Sequence, residues 1–401
     1  MIQNVAVDAV PDSTSHNRTQ YIYMASPPAP LPGRFREGDT TVKKVLLALS
    51  AVFLAIASAS PAFAAYKSEY KLDIVPSLTT AWGQGSQYFA DLVRERSGGK
   101  INIKVYPNAQ LTTGKQINAF MLLRNGAIDF ANQSTINYSP QIPELNLFAL
   151  PFFFADEPDR YTALDAVTGG KSGKIVAAAI EKKGGKFLCF GENGFRELTN
   201  DKREIRSPND LVGLNIRVVG SPLFIDIFKT LGTNPTTLAW ADTMAAIQQK
   251  VIDGQENPIL TFYHLGVTQH HKFVTNWHYV ADPTMFVCNP GVWKSFNADD
   301  RELVLKAAQD AAKFQIALSR AGIDENDGGK NADYLNSIGK QAQSDNWNAS
   351  LENAGVKVTN LTPAEMQAFA EATKDVIDNW RDRIGVELIA VAKQDMAAAR
   401  K

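Results

Sequence analysis

From Tyr70 onward, strand-like and helix-like runs take turns along the chain, and this alternation restricts the fold more than any other feature. KLDIV reads as a strand, and the stretch after it sets Tyr88, Phe89, Leu92 and Val93 on one helical face. Ser97-Gly98-Gly99 ends that helix. INIKVY then alternates, with Ile101, Ile103 and Val105 on one side. The next helix turns Ile117, Phe120 and Met121 inward and stops at Asn125-Gly126. AIDFA follows as a strand. Strand, helix, strand, helix, strand predicts an α/β fold with a parallel-type sheet flanked by helices.

The middle of the chain repeats the pattern. Ser207-Pro208 begins a short helix, GLNIRVV is a strand, and Ser221-Pro222 opens the helix that stops at Gly232. TTLAW reads as a strand, followed by a helix from about Asp242 to Val251. KFLCF and TMFVCN are apolar strands that bracket this whole unit. Two lobes joined by hinge strands, or one large doubly wound sheet, both satisfy that pattern. ADDRELVLKAAQDAAKFQIALSR predicts a long helix with Asp299 and Asp300 in its first turn. ENAGVKVTNL gives a strand and turn, and Thr362-Pro363 opens another helix.

Before residue 65 the grammar differs. Lys43 and Lys44 precede an uncharged run from Val45 to Ala59, and Pro61 leads into Ala62-Phe63-Ala64. That is the order of a secretory signal peptide over 42–64, cleaved near Ala64. No cysteine at the cleavage site offers a lipid anchor. Residues 1–41, rich in proline and polar side chains, are expected to be disordered or to precede the true translation start. Net charge is −1, so no general attraction to nucleic acid or an anionic bilayer is expected. Any anion site must concentrate its charge locally. Cys189 and Cys288, the only cysteines, lie in strand-like runs without metal-ligand spacing and are expected to be buried free thiols.

Two arginines draw attention. Arg196 follows a strand and a glycine-rich turn in GENGFREL, and Arg217 sits inside the apolar strand GLNIRVV. A buried guanidinium is costly unless it is paired or faces a cleft. Its planar fork also matches a carboxylate, so structural ion pair and ligand clamp both remain open. IDGQENP reads either as a helix-terminating turn or as a source of cleft-facing amides. Trp82, Trp240, Phe262 and Tyr263 are candidate ligand walls. His264, His270, His271 and His278 lack an HExxH arrangement, and no metal or cofactor is expected. Nucleophile-elbow, Walker and GxGxxG motifs are missing, so catalysis is not expected.

The run GLNIRVVGSPLFIDIFKTLGTNPTTLAWADTMAAIQQKVIDGQENP resembles the core of DctP-type solute-binding receptors of TRAP (tripartite ATP-independent periplasmic) transporters. GKINIKVYPNAQL, NGAIDFANQS, LFALPFFF and GENGFRELTN resemble that family's other segments in the same order. The resemblance implies a two-lobed periplasmic solute-binding fold with hinge strands and a long helix spanning both lobes. It places 65–193 and 283–322 in lobe I, and 194–282 and 323–401 in lobe II. It further implies that Arg217 and Arg196 clamp a carboxylate, that Asn257 contacts it, and that Trp240 forms an aromatic wall. Gln133, Ser134, Asn137 and Trp82 would meet the variable end of the ligand. Gly220 lacks the polar side chain that some sugar-acid receptors carry there. The implied partners are a small organic acid anion, a membrane permease and a small membrane subunit. The protein itself is expected to be a periplasmic monomer. A sensor presenting the bound acid to a signalling receptor is the alternative.

Overall fold

The computed structural model describes residues 66–155 and 159–400, so the expectations for 1–41 and 42–64 lie outside the described residues. In chain order the strands are β1 (Tyr70–Asp73), β2 (Ile103–Tyr106), β3 (Phe130–Ser134), β4 (Lys186–Phe195), β5 (Glu197–Asn200) and β6 (Asn215–Val218). They continue with β7 (Asn234–Thr237), β8 (Gly254–Asn257), β9 (Phe273–Asn276), β10 (Ala281–Cys288) and β11 (Lys357–Asn360). They form two sheets, ordered β2-β1-β3-β10-β4 and β11-β9-β5-β8-β6-β7. The fold is therefore α/β and two-lobed, and the single doubly wound sheet is excluded. KFLCF and TMFVCN, far apart in sequence, pair antiparallel as β4 and β10, with Cys189 opposite Phe286. Both cysteines are free thiols.

The chain passes directly from the first sheet to the second at Arg196, between β4 and β5, and returns over residues 277–280, between β9 and β10. The two crossings are tied, because Arg196 N donates to the Val280 carbonyl at 3.1 Å. Glu197 secures the return, accepting the backbone N–H groups of Trp277 and His278. The long helix Ala298–Arg320 joins the lobes a third time. Asn297 caps its first turn, accepting from Asp300 N. Val304, Ala308 and Ala311 pack in the core that holds Phe89 and Phe286, whereas Phe314 and Leu318 pack with Ile259 and Val274 of the other sheet's core. At its end Arg320 grips Glu192 on β4 and Asp165, each at 2.6 Å.

Several elements depart from the sequence reading. The strand placed on AIDFA runs later, over Phe130–Ser134, which puts Gln133 and Ser134 inside the sheet. TTLAW is not a strand. β7 ends at Thr237, and Trp240 starts the helix Trp240–Gln248. Pro235 is tolerated because β7 is a sheet edge. GENG continues β4 instead of forming a turn. Ile117 and Met121 are exposed, because the chain makes a 3-10 turn at Gln116–Asn118 before the helix Ala119–Arg124 begins. IDGQENP holds the largest surprise. Gly254–Asn257 is a fully buried central strand with an all-polar sequence, held by parallel pairing to β6 and antiparallel pairing to β5.

Candidate functional site

A small cavity of about 30 Å³ lies where the two sheets meet. One side is lined by Trp82, Gln116, Ser134, Ile136 and Asn137, and the other by Arg217, Val219, Trp240, Asn257 and Thr261. Asn193, Arg196 and Asp282 line it from the interlobe strands. Each side chain is there for a local reason. Trp82 sits in the first turn of the helix Ala81–Arg96, capped by Thr80, and its indole N–H donates to the Asn132 carbonyl at 2.8 Å. Ser134 ends β3 and caps the short helix Thr135–Tyr138, which turns Asn137 toward the cavity.

The two arginines are held differently. Arg196 makes four hydrogen bonds: Nε and Nη2 to the Glu256 carboxylate at 2.5 and 2.8 Å, Nη2 to the Glu256 carbonyl at 2.7 Å, and Nη1 to Asp282 Oδ2 at 2.7 Å. Burial opposes its charge, but Glu256 and Asp282 outweigh that and hold it protonated above the ordinary arginine range. Tyr279 Oη also donates to Glu256, and Asp282 further accepts from Ser134 and Asn193, so the arginine is locked in a buried network.

Arg217 is 1% exposed and makes two hydrogen bonds, from Nε and Nη2, both to the Leu238 carbonyl. Three of the five N–H groups of a guanidinium are therefore uncommitted. No carboxylate among the described residues forms an ion pair with it. Its guanidinium lies 5.7 Å from the Trp240 ring centroid. Burial, only partly offset by the more distant Glu256, pulls its pKa down to about 10. It is still charged at neutral pH, and a bound anion would relieve that burial.

Seven of the ten residues that the sequence marks as candidates line this cavity: Arg196, Arg217, Asn257, Trp240, Ser134, Asn137 and Trp82. The other three do not, and Tyr263 packs edge-on against Trp347 with ring centroids 5.0 Å apart. Gln133 lies behind the wall, donating to Asp73 and accepting from Asn137. Phe262 is fully buried in the core beside Ile259 and Val274. Asn257 Nδ2 donates to Gln255 Oε1 at 2.7 Å. Gln116, Asn193, Thr261 and Asp282 escaped the sequence reading. Asp282 alone carried a signal, being an acidic residue next to an apolar run. Three of the four histidines take different partners: Nδ1 of His271 meets Thr199, Nε2 of His264 meets Gln343 and Nδ1 of His278 meets Glu197.

Residues 73–326 match the family described as bacterial extracellular solute-binding protein, family 7 (DctP). The chain is 28% identical over 355 residues, 88% of this chain and 98% of the relative, to the C4-dicarboxylate-binding periplasmic protein DctP of Rhodobacter capsulatus. It is 31% identical over 230 residues, 57% of this chain and 68% of the relative, to the 2,3-diketo-L-gulonate-binding periplasmic protein YiaO of Escherichia coli K12. Among solved structures, a TRAP periplasmic solute-binding protein of Ralstonia eutropha H16 with bound (S)-2-acetolactate is similar at 47% identity and a TM-score of 0.76, covering 83% of this chain and 100% of that one. Another, from Sulfurospirillum deleyianum with bound succinate, is 28% identical with a TM-score of 0.68, covering 81% and 98%. The chain therefore belongs to the DctP family of bacterial extracellular solute-binding proteins, the periplasmic receptors of TRAP transporters.

Proposed function

We propose that this receptor captures a compact organic carboxylate between its lobes and hands it to a TRAP-type membrane permease with its small subunit. The observation that carries this reading is Arg217, a buried cation in a cavity wall with uncommitted donors and no acidic partner among the described residues. A carboxylate meeting that fork gains charge-assisted hydrogen bonds worth about 1.5–3 kcal/mol each. Arg196 takes a second role in this reading. Fixed by Glu256 and Asp282, it supplies positive charge at the crossing between lobes and at most one further donor.

The rest of the wall argues for a small ligand. Trp82, Ile136, Val219 and Trp240 are apolar, and Asn137, Asn257 and Thr261 supply a few polar contacts. That balance suits a short acid carrying one or two further oxygens better than a hydroxyl-rich sugar acid. The 47% identical Ralstonia protein holds (S)-2-acetolactate, an acid of this kind. Export with cleavage near Ala64 would release the described body into the periplasm.

Calorimetric titration of the mature protein with (S)-2-acetolactate, succinate and a galactonate control tests the reading. Saturable one-to-one binding of a compact acid, lost in its methyl ester, is expected. Binding of the ester as tightly as the acid would refute it.

A further inference from the structure

Behind the cavity wall a line of polar side chains runs into the first lobe. Asn137 Nδ2 donates to Gln133 Oε1 at 3.0 Å, and Gln133 Nε2 donates to Asp73 Oδ2 at 2.7 Å. Asp73 and Gln133 are both 0% exposed, and only Asn137 reaches the cavity. Asp73 Oδ1 has no hydrogen-bond partner among the described residues. With one Nδ2 N–H committed to Gln133, Asn137 has Oδ1 as the acceptor it can offer a ligand.

An amide has one donor end and one acceptor end, so this line has two self-consistent settings. An ionised Asp73 only accepts. It fixes the Gln133 NH2 toward itself and the Gln133 carbonyl toward Asn137, and Asn137 then shows the cavity its oxygen. A protonated Asp73 gains an O–H that can donate to the Gln133 carbonyl instead. Both amides turn over, and Asn137 shows the cavity its NH2.

We propose that Asp73 is a positioning residue which, through Gln133, sets whether Asn137 offers the ligand an acceptor or a donor, and so discriminates a hydroxyl from a carbonyl on the bound acid. The proposal rests on the carboxylate-receptor reading above. Burial pushes Asp73 up to about 7 against the lowering effect of the Gln133 hydrogen bond, which brings both settings within reach near neutrality. No cation among the described residues pins the carboxylate. Lys71 on β1 is exposed, and Lys104 and Tyr106 on the neighbouring β2 turn to Glu69. Tyr138, from the adjoining helix, is kept neutral, its ionisation pushed up by burial first and by Asp73 second.

Two readouts on the mature protein test it. In isotope-labelled, ligand-free protein, the side-chain amide resonances of Gln133 and Asn137 should move together as the Asp73 carboxyl titrates, with a midpoint near the value burial gives it, and stay fixed in Asp73→Asn. Amides that stay fixed while wild-type Asp73 titrates would overturn the relay. Calorimetry with 2-hydroxyisovalerate and 2-oxoisovalerate gives the second readout. The preference for the hydroxy acid at about pH 8.5 should fall about tenfold by about pH 5.5, and be flat in Asp73→Asn. A pH-independent preference in the wild type would also overturn it. Arg217→Ala separates the two claims, since the carboxylate reading expects it to weaken both acids alike. If neither acid binds the wild type, that reading fails while the amide titration still decides the relay.

Discussion

Gln116 and Trp240 meet across the cleft: the Trp240 backbone N–H, in the first turn of a second-lobe helix, donates to Gln116 Oε1 at 3.2 Å. Around this contact Ile117 packs on Gly220, and the Ser139 and Ser221 hydroxyls stand 3.4 Å apart. A Cβ at Gly220 would come within 3.2 Å of Ile117, so glycine at this position lets the lobes approach. These contacts belong to a closed arrangement and must part for a ligand to enter.

Gln116→Ala should therefore weaken ligand binding by loosening closure. One neutral hydrogen bond contributes about 0.5–1.5 kcal/mol, so affinity should fall about two- to tenfold with the fold intact. Calorimetry gives the affinity, and small-angle scattering of the ligand-free protein should show a larger radius of gyration than wild type.

Glu256 stands under Arg196, 0% exposed, with Arg196 and Tyr279 both donating to it. Removing one partner of a buried ion pair leaves the other charge uncompensated, at about 3–5 kcal/mol. Glu256→Ala should lower the free energy of unfolding in urea by that order. A loss below about 1 kcal/mol would mean that water or other groups replace the carboxylate.

His271 is 2% exposed, and burial pulls its pKa down to about 4. The unfolded chain holds its histidines near the ordinary value of about 6.5, so between these two values the unfolded state binds more protons. Its contribution is full above about pH 6.5 and is lost as pH falls toward about 4, amounting to about 3 kcal/mol. Asp73 acts in the opposite sense, since its raised pKa favours the folded state below neutrality. Comparing the pH dependence of unfolding in wild type and His271→Gln isolates the histidine, and the acid-side loss should be shallower in the variant.

The alternation of strands and helices, the runs that form β4 and β10 and the long helix were legible, because apolar periodicity reports which faces are buried, whereas β5, β9 and the helices Arg160–Gly169 and Lys171–Lys182 were not. β8 was not. Gly254-Gln255-Glu256-Asn257 carries no apolar residue, and its burial is made tolerable by partners distant in sequence, Arg196 at the lobe crossing and Thr199 on β5. The β-prone run before Trp240 reads as a strand, whereas the Trp240 backbone begins a helix. Arg217 stands out in the sequence through the cost of a guanidinium in an apolar strand. Whether Arg196 faced ligand or carboxylates could not be read, since Glu256 and Asp282 lie 60 and 86 residues away.

The central claim is that Arg217 supplies the charge that captures the ligand, and calorimetric titration of Arg217→Ala with the acid that binds the wild type best tests it most directly. Losing a two-pronged contact at about 1.5–3 kcal/mol per hydrogen bond predicts at least a hundredfold weaker binding, with thermal unfolding still cooperative. Affinity equal to wild type in a folded Arg217→Ala protein would contradict the account.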